Sequence, residues 1–217
     1  MISKQQYQKL LEKLFKFETP NLNIEQYYTT PDVAGQIITA ACLSGDIEGK
    51  VVVDLGCGTG FLGIGALINN AKMVYFLDLD ENALKTLAKN IKYIEQNYDI
   101  KLSNYKIIRT DIRNVTKDTF EEKIDTVIMN PPFGNRARNI DVVFLEKAFD
   151  ISMNIYLIYL RLKSHRVYIP SQKKGYSVEK LDVKYTLKKQ YAMHKEDSKD
   201  IDVSIFVLKC KNSNMKF

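Results

Sequence analysis

Residues 50–60 read KVVVDLGCGTG, a largely apolar run that leads directly into a loop with three glycines. The apolar run predicts a buried strand of the kind found in parallel sheets. The glycines allow a sharp turn after the strand and let a ligand approach the backbone closely. The pattern over residues 62–69 is typical of a helix. The stretch therefore predicts a strand–loop–helix unit of an α/β sheet.

Alternating strands and helices continue along the rest of the chain, and this pattern predicts a doubly wound α/β fold. Strands are predicted at 50–55, 73–77, 105–108, 124–129, 155–160, 183–193 and 201–209, the last two as an antiparallel pair. Helices are predicted at 3–16, from Pro31 to about residue 44, and at 62–69, 81–96 and 140–151. Residues 163–179 predict a helix or an irregular crossover that Pro170 and Gly175 break.

The length and composition predict one globular domain in the cytoplasm. A chain of 217 residues is long enough for a full core. The longest apolar run, residues 155–160, is far shorter than a membrane span, and the N-terminus lacks the apolar core of a signal peptide. Three scattered cysteines and two histidines indicate neither a disulfide framework nor a metal site.

Positive charge is concentrated in the C-terminal third. Residues 151–217 hold 14 Lys/Arg against 6 Asp/Glu, whereas residues 1–150 hold 18 against 20. Such an asymmetry favours a polyanion partner such as RNA or DNA. A solvated lysine-rich surface is the alternative.

Acidic residues follow three predicted strands at the edge where α/β proteins bind ligands. Asp54 would repel a diphosphate but suits a cationic amino acid group. Asp78 is placed to accept hydrogen bonds from ribose hydroxyls, and Asp111 from an adenine amino group. Each could instead be a helix N-cap. The glycine loop lacks the last glycine of a GxGxxG motif, since Phe61 is at that position. The three acids and this loop therefore fit S-adenosylmethionine better than NAD.

The segment Asn130-Pro131-Pro132-Phe133, which we call the elbow, follows the fourth predicted strand. Two prolines remove two backbone donors and fix two φ angles, and each residue before a proline is held extended. A stiff turn with an amide, a free carbonyl and a ring can hold a flat molecule that carries an NH2 group. Phe133 could also be an ordinary core aromatic.

These motifs resemble those of the class I S-adenosylmethionine-dependent methyltransferases, whose nucleotide amino-methylating members carry (N/D)PP(F/Y) after the fourth strand. The segments EQYYTTP (25–31), DLGCG (54–58), VIMNPPFG (127–134) and Tyr191-x-x-His194-Lys195 are similar to the methyltransferase-like protein 5 family. The resemblance implies a Rossmann-like class I methyltransferase fold with a mostly parallel seven-stranded sheet. It also implies methylation of adenine N6 in small-subunit ribosomal RNA.

The resemblance also implies roles for individual residues. The N-terminal segment 1–45 would cover the cofactor, and residues 46–217 would form the Rossmann-like core of a single methyltransferase domain. The cofactor residues would be Gln26, Thr29, Asp54, Gly56, Gly58, Thr59, Gly60, Phe61, Asp78, Leu79, Asp111, Ile112 and Asn130. The catalytic residues would be Asn130, Pro131, Pro132 and Phe133. The residues themselves, and not the resemblance, give the RNA-binding candidates, which are Phe133 by its ring and Arg136, Arg138, His194 and Lys195 by their charge. A solvated surface role is the alternative for the four basic ones.

Two rival functions and one partner also follow. The elbow suits methyltransferases for guanine N2, DNA adenine N6 or protein glutamine N5 equally well, because all offer a planar nitrogen. A non-catalytic RNA-binding factor could keep the same fold. The third strand, residues 104–109, is expected at a sheet edge, and exposed edges invite strand addition. The resemblance implies a small zinc-binding activator protein there.

Overall fold

One seven-stranded sheet runs through the computed structural model, which describes residues 4–134, 139–188 and 198–211. The strands lie in the order β3-β2-β1-β4-β5-β7-β6. Strand β7 is antiparallel to both β5 and β6, and the other neighbouring strands are parallel. The strands are β1 (Val51–Leu55), β2 (Met73–Asp78), β3 (Tyr105–Arg109), β4 (Thr126–Met129), β5 (Asn154–Leu160), β6 (Tyr176–Lys188) and β7 (Ser198–Cys210). This topology confirms the predicted fold class and the edge position of the third strand.

Six α-helices connect or flank these strands in the described chain. They are α1 (Lys4–Glu12), α2 (Pro31–Leu43), α3 (Phe61–Ile68), α4 (Glu81–Tyr98), α5 (Ile140–Ile151) and α6 (His165–Lys173). Strands β1 and β4 are buried along their whole length, which explains their continuous apolar sequences. Among the helices that the structure describes, none has the length and apolar character that a membrane span needs.

The strand register brings the predicted site residues to one edge of the sheet. Leu55 is paired with Leu77 of β2 and with Met129 of β4. The next residue of each strand is therefore at the same level, and the glycine loop, Asp78 and the elbow are neighbours. This is the carboxyl edge of a parallel sheet, where ligands bind in this type of fold.

Two element boundaries near the N-terminus and the centre differ from the sequence-based expectation. Helix α1 ends at Glu12, although the apolar spacing predicts a helix to residue 16. The buried Asn90 side chain accepts from Phe15 N and donates to Phe15 O, so it binds backbone groups that a continued helix would have used. Strand β4 begins at Thr126, two residues later than predicted.

The largest correction concerns residues 161–188. The prediction that Pro170 breaks this stretch is wrong, because Pro170 lies inside α6 and Lys174 N donates to its carbonyl. Gly175, with φ +78°, does end the helix. Strand β6 starts at Tyr176, seven residues before the predicted start, and it pairs with β7 from there. The predicted end of this strand at residue 193 lies outside the described residues.

Candidate active site

A cleft opens at the carboxyl ends of β1, β2 and β4, and most of the predicted cofactor residues line it. Those that line it are Gln26, Thr29, Asp54, Gly56, Gly58, Thr59, Phe61, Asp78, Leu79, Asp111, Ile112 and Asn130. Pro132 of the elbow lines it as well. The fold therefore gathers residues that are more than 100 positions apart in sequence, such as Thr29 and Asn130, into one site.

The glycine loop is held against strand β2 by its own backbone. Gly56 N and Cys57 N both donate to Leu77 O, at 2.8 and 2.9 Å. Gly56 and Gly58 have φ values of +70° and +52°, which favour glycine. Aromatic rings from elsewhere cover both: a Cβ at Gly56 would be 3.0 Å from the Phe144 ring, and one at Gly58 would be 2.8 Å from the Phe17 ring.

Asp54 is a buried carboxylate beneath the glycine loop. Its side chain is 1% exposed and accepts from Gly63 N at 2.7 Å, in the first turn of α3. Burial raises its pKa to about 7, while the bond from Gly63 opposes this shift and the neighbouring Asp78 adds to it. A cationic group in the cleft would favour the ionised form of this carboxylate.

Asp78, at the end of β2, organises the loops on both sides of it. Its two oxygens accept from Gly58 N at 2.8 Å and from Asp80 N at 2.9 Å. Burial raises the pKa of Asp78, and these two backbone bonds lower it in part. Asp80 caps helix α4 and also accepts from Gln26 Nε2 at 2.6 Å, so the N-terminal segment is tied to this acidic edge.

Asp111 lines the cleft, but its carboxylate already has donors. Its oxygens accept from the backbone and the guanidinium of Arg113, at 2.6 to 2.9 Å. The Arg113 side chain lowers the pKa of Asp111. Asp111 is the cap of a short 3-10 helix, which is the alternative role that its loop position suggested. Its predicted bond to an adenine amino group stays a prediction.

The amide of Asn130 is oriented by the N-terminal segment. Its Nδ2 donates to Thr29 Oγ1 at 3.1 Å. Because the NH2 end of the amide is engaged in this bond, Oδ1 is the end that can accept hydrogen bonds from a substrate amine. The geometry thus supports an acceptor at the elbow, as the sequence predicts.

Phe133 is held at its backbone and at its ring. Its N–H donates to Glu25 Oε2 at 3.1 Å, and its carbonyl accepts from Lys163 Nζ at 2.8 Å. The ring is 6% exposed and lies edge-on to Tyr159, with the centroids 6.1 Å apart. Tyr159 Oη in turn donates to the buried Asp141. In this structure the Phe133 ring is part of the core, and its stacking on a base stays a prediction.

Three predicted site residues are near the cleft without lining it. They are Gly60, Pro131 and Phe133. Gly60 has φ +88°, and a Cβ there would collide with Leu87 of α4, so its glycine is explained by packing. The four basic RNA-binding candidates Arg136, Arg138, His194 and Lys195 lie outside the described residues.

Sequence reasoning missed four residues that shape the site. Phe17 and Phe144 cover the glycine loop, and Glu25 and Lys163 bind the backbone of Phe133. Glu25 opens the quoted EQYYTTP segment, so a signal was available for it. The other three come from distant parts of the chain, and no local pattern indicates their proximity to the cleft.

In the sheet, the antiparallel strand β7 lies next to the described edge strand β6, and the remaining strands are parallel. This order and the acid-lined cleft define a Rossmann-like methyltransferase. The model of the methyltransferase small domain family matches residues 28–151. The chain is 36% identical to the rRNA N(6)-adenosine-methyltransferase METTL5 of Danio rerio, with 89% of this chain and 92% of the relative covered. It is 33% identical to the corresponding Drosophila melanogaster protein, with 88% of each covered. The chain therefore belongs to the family of these methyltransferases.

A solved structure agrees with this assignment. A protein from Pyrococcus horikoshii, described as a proposed RNA methyltransferase, superposes with a TM-score of 0.83 at 34% identity. The match covers 97% of this chain and 98% of that protein. The family and the fold predicted from the motifs are thereby confirmed.

Proposed function

We propose that this protein is an S-adenosylmethionine-dependent methyltransferase that modifies N6 of an adenosine in ribosomal RNA, within the small subunit. The observation that carries the proposal is the Asn130 amide, which Thr29 orients at the mouth of a cleft with buried carboxylates. The names of the relatives from Danio rerio and Drosophila melanogaster, rRNA N(6)-adenosine-methyltransferases, support the same activity.

The residues present fit S-adenosylmethionine. The buried Asp54 would attract the amino group of the cofactor's amino acid part, and Asp78 would accept from the ribose. A Cβ at Gly56 or Gly58 would press on the Phe144 or Phe17 ring, and both rings line the cleft, so glycine at these positions keeps the rings in place beside the ligand. When bound, S-adenosylmethionine would supply a methyl group to the nitrogen lone pair: the C–N bond would form as the C–S bond breaks, and the neutral thioether S-adenosylhomocysteine would leave.

The elbow would prepare the adenine amine for this displacement. The lone pair of N6 is delocalised into the ring, which makes the amine a poor nucleophile. Two hydrogen bonds, to Asn130 Oδ1 and to the Pro131 carbonyl, would favour a pyramidal nitrogen with its lone pair directed out of the ring plane. The residues thus act by positioning and electrostatic stabilisation. The surplus proton on the methylated amine is released to solvent, so we assign no general base.

The target base must leave its stack before it can reach the elbow. We propose that Phe133 stacks on it, a contact worth about 1–3 kcal/mol in single-strand binding, and that its ring turns from Tyr159 to do so.

Arg136, Arg138, His194 and Lys195 are proposed to contact RNA phosphates. An Arg136→Ala/Arg138→Ala variant should reduce the slope of log affinity against log salt by about one to two; an unchanged slope would remove this pair from the interface.

Mass spectrometry of modified nucleosides tests the proposed reaction. Ribosomal RNA from a deletion strain should lack one N6-methyladenosine, and restoring the gene should restore it. Loss of N2-methylguanosine in place of N6-methyladenosine would support the guanine alternative. An unchanged RNA nucleoside profile with loss of DNA adenine methylation or of protein glutamine methylation would support the DNA or the protein alternative, respectively. If the purified protein does not bind S-adenosylmethionine at millimolar concentration, the non-catalytic alternative is favoured.

A small zinc-binding activator is proposed to add a strand to β3. Thr110 N donates to Asp78 O, and Val74 N donates to Asn104 O, so alternate residues of this segment face β2. Ile107 is an odd number of positions away from Asn104 and Thr110, so its N–H and C=O point away from β2, toward the open edge of the sheet. Ile107→Pro should therefore abolish binding of the activator without disturbing β2, and unchanged binding would contradict the proposal. A cytoplasmic location and the single-domain division stay predictions.

A further inference from the structure

We infer that Glu25 and Lys163 are positioning residues that hold the elbow in the geometry needed for methyl transfer. The inference rests on the proposed function, because it concerns the geometry at which the amine is methylated. Neither residue follows from the elbow motif itself. Glu25 is 108 positions from Phe133 in sequence, and Lys163 is 30 positions from it.

The chemistry of proline makes Phe133 the point at which the elbow can be held. Pro131 and Pro132 have no N–H, so the first backbone donor after Asn130 is that of Phe133. This donor binds the Glu25 carboxylate in a buried environment. The carbonyl of the same residue binds the Lys163 ammonium. Hydrogen bonds to charged groups are about twice as strong as those between neutral groups, so both contacts fix this residue firmly.

The backbone of Glu25 shows that its placement is specific. Glu25 has φ +52° although it is not a glycine, and its side chain is 7% exposed. Such a conformation costs about 1–3 kcal/mol and persists only where the surroundings enforce it. Here the conformation directs a carboxylate inward to the Phe133 N–H. The buried hydrogen bond to Phe133 is a contact that can offset this strain.

The same short segment also contacts the other end of the elbow. Thr29 Oγ1 accepts from Asn130, four residues after Glu25. Residues 25–29 therefore bind the first and the last residue of Asn130–Phe133, and Lys163 binds the elbow from the turn after β5. Together these contacts set the distance between the Asn130 amide and the Pro131 carbonyl, the two proposed acceptors for the amine.

Substitutions of Lys163 test the inference with the full-length protein. Lys163→Met keeps the length of the side chain but removes the donor, and Lys163→Arg keeps a cationic donor. We expect Lys163→Met to slow single-turnover methyl transfer to ribosomal RNA by about 10- to 100-fold, because small misplacements of reacting groups cost this much. Lys163→Arg should recover most of the rate. The cofactor Kd should stay within about threefold of wild type, since Lys163 is not among the residues that line the cleft.

Lys209→Met is the matched control. Lys209 is also a partly buried lysine, and its ammonium forms an ion pair with Asp46. It is paired with Asn154 at the start of β5, so it lies at the end of this strand opposite to the cleft. Its loss should lower the unfolding midpoint and leave the rate at saturating RNA unchanged. Equal loss of rate in Lys209→Met and Lys163→Met would show a general structural effect and would overturn the inference. A wild-type rate in Lys163→Met would overturn it as well.

Glu25 is tested by the same logic. Glu25→Gln keeps an oxygen that can accept from Phe133 N–H, whereas Glu25→Ala removes it. The rate should fall in the order wild type, Glu25→Gln, Glu25→Ala. The effects of Glu25→Ala and Lys163→Met should be non-additive, because both act through Phe133. Strict additivity of the two effects would contradict a shared role.

A spectroscopic reporter separates this inference from the proposed function. The chain contains no tryptophan, so Phe133→Trp places a single tryptophan in the elbow, which can be excited selectively over the tyrosines. Adding Lys163→Met should shift its emission to longer wavelength as the ring becomes more exposed, and adding Lys209→Met should not. If wild type fails to methylate RNA while the shift occurs, the proposed function fails and the support of the elbow stands. If RNA is methylated but no shift and no rate loss occur, the positioning role fails.

Discussion

The glycine loop and the elbow lie on the same cleft, yet they are held in place by different kinds of contact. Gly56 and Cys57 bind the backbone of the adjacent strand β2, and Gly58 binds the carboxylate that ends it. The elbow receives its hydrogen bonds from side chains of Thr29, Glu25 and Lys163. The first arrangement is local to neighbouring strands, whereas the second depends on three separate parts of the chain.

The prolines explain this difference. Pro131 and Pro132 have no N–H to contribute to the backbone bonding of a sheet, so the elbow depends on side chains for its position. The glycine loop keeps all its donors, and its conformation follows from positive φ angles that only glycine adopts easily. We therefore expect changes in the elbow to affect catalysis and changes in the glycine loop to affect cofactor binding and stability.

The largest effect should come from Asn130→Ala. Loss of the proposed acceptor for the amine should reduce methyl transfer by about 100- to 1000-fold, the range found for the loss of a single transition-state hydrogen bond. Cofactor affinity should change only a few-fold, because Asp54 and Asp78 remain. The rate and the cofactor Kd are measured on the same protein sample. Substantial turnover in this variant would disprove the amino-group model of the elbow.

Asp78→Ala should show the opposite pattern. It removes the proposed ribose acceptor and the partner of Gly58 N and Asp80 N. We expect a loss of cofactor affinity of about 10- to 100-fold, as for the loss of hydrogen bonds to a charged group, measured by calorimetric titration. Asp78→Asn, which keeps one acceptor oxygen, is the control and should lose less. Equal affinity in wild type and Asp78→Ala would exclude Asp78 from the cofactor site.

Gly58→Ala isolates the contribution of loop geometry. An alanine there has to adopt φ +52° and meets the Phe17 ring at 2.8 Å. Gly45→Ala is the matched control, since its φ is +73° and no atom lies within 4 Å of an added Cβ. Both should lose about 1–2 kcal/mol of unfolding free energy from the left-handed conformation, measured in urea, and Gly58→Ala should lose more because of its contact with the Phe17 ring. Only Gly58→Ala should lose cofactor affinity in addition, because it displaces the Phe17 ring that lines the cleft. Equal affinity in both variants would contradict a role of this contact in cofactor binding.

The smallest effect should be the pH dependence of cofactor binding through Asp54. The pKa of Asp54 is raised to about 7, so its carboxyl is protonated below that pH and cannot attract a cationic amino group. Affinity should rise with pH toward a plateau above 7, by at most about tenfold per pH unit. Asp54→Asn serves as the reference, because it removes this titration and leaves that of the cofactor itself. Parallel pH profiles for the two proteins would exclude Asp54.

Ionisation of Asp54 affects folding stability in the opposite direction to its effect on cofactor affinity. The folded-state pKa of Asp54 is higher than that of an unfolded aspartate, so the folded protein binds the additional proton between these two values. The stability that this group contributes is full below the unfolded pKa and is lost as the pH rises to about 7. Without cofactor, the Asp54 contribution should therefore make the free energy of unfolding lower at pH 7 than at pH 5. This part of the pH dependence of stability should be missing in Asp54→Asn.

Sequence alone determined the features that depend on local chemistry. The strand–glycine–helix unit at residues 50–69 and the sheet class follow from apolar runs and glycines, because backbone conformation and burial leave direct patterns in sequence. The acids after each strand predict the cleft, because parallel strands end at one edge. The elbow follows from two prolines beside an amide. Each strand, glycine loop, acid and elbow is marked by residues adjacent in sequence, and the parallel order of the strands brings the separate acids to one edge.

Tertiary structure decided which distant residues support these features. Phe17 and Phe144 cover the glycines, Asn90 ends helix α1 early, and Glu25 and Lys163 bind Phe133. The continuation of α6 through Pro170 was also decided there. For Asn90, Glu25 and Lys163 the physical reason is the same. A backbone group without a local partner takes whichever side chain the packing of the sheet brings to it, and that proximity leaves no periodic trace in the sequence.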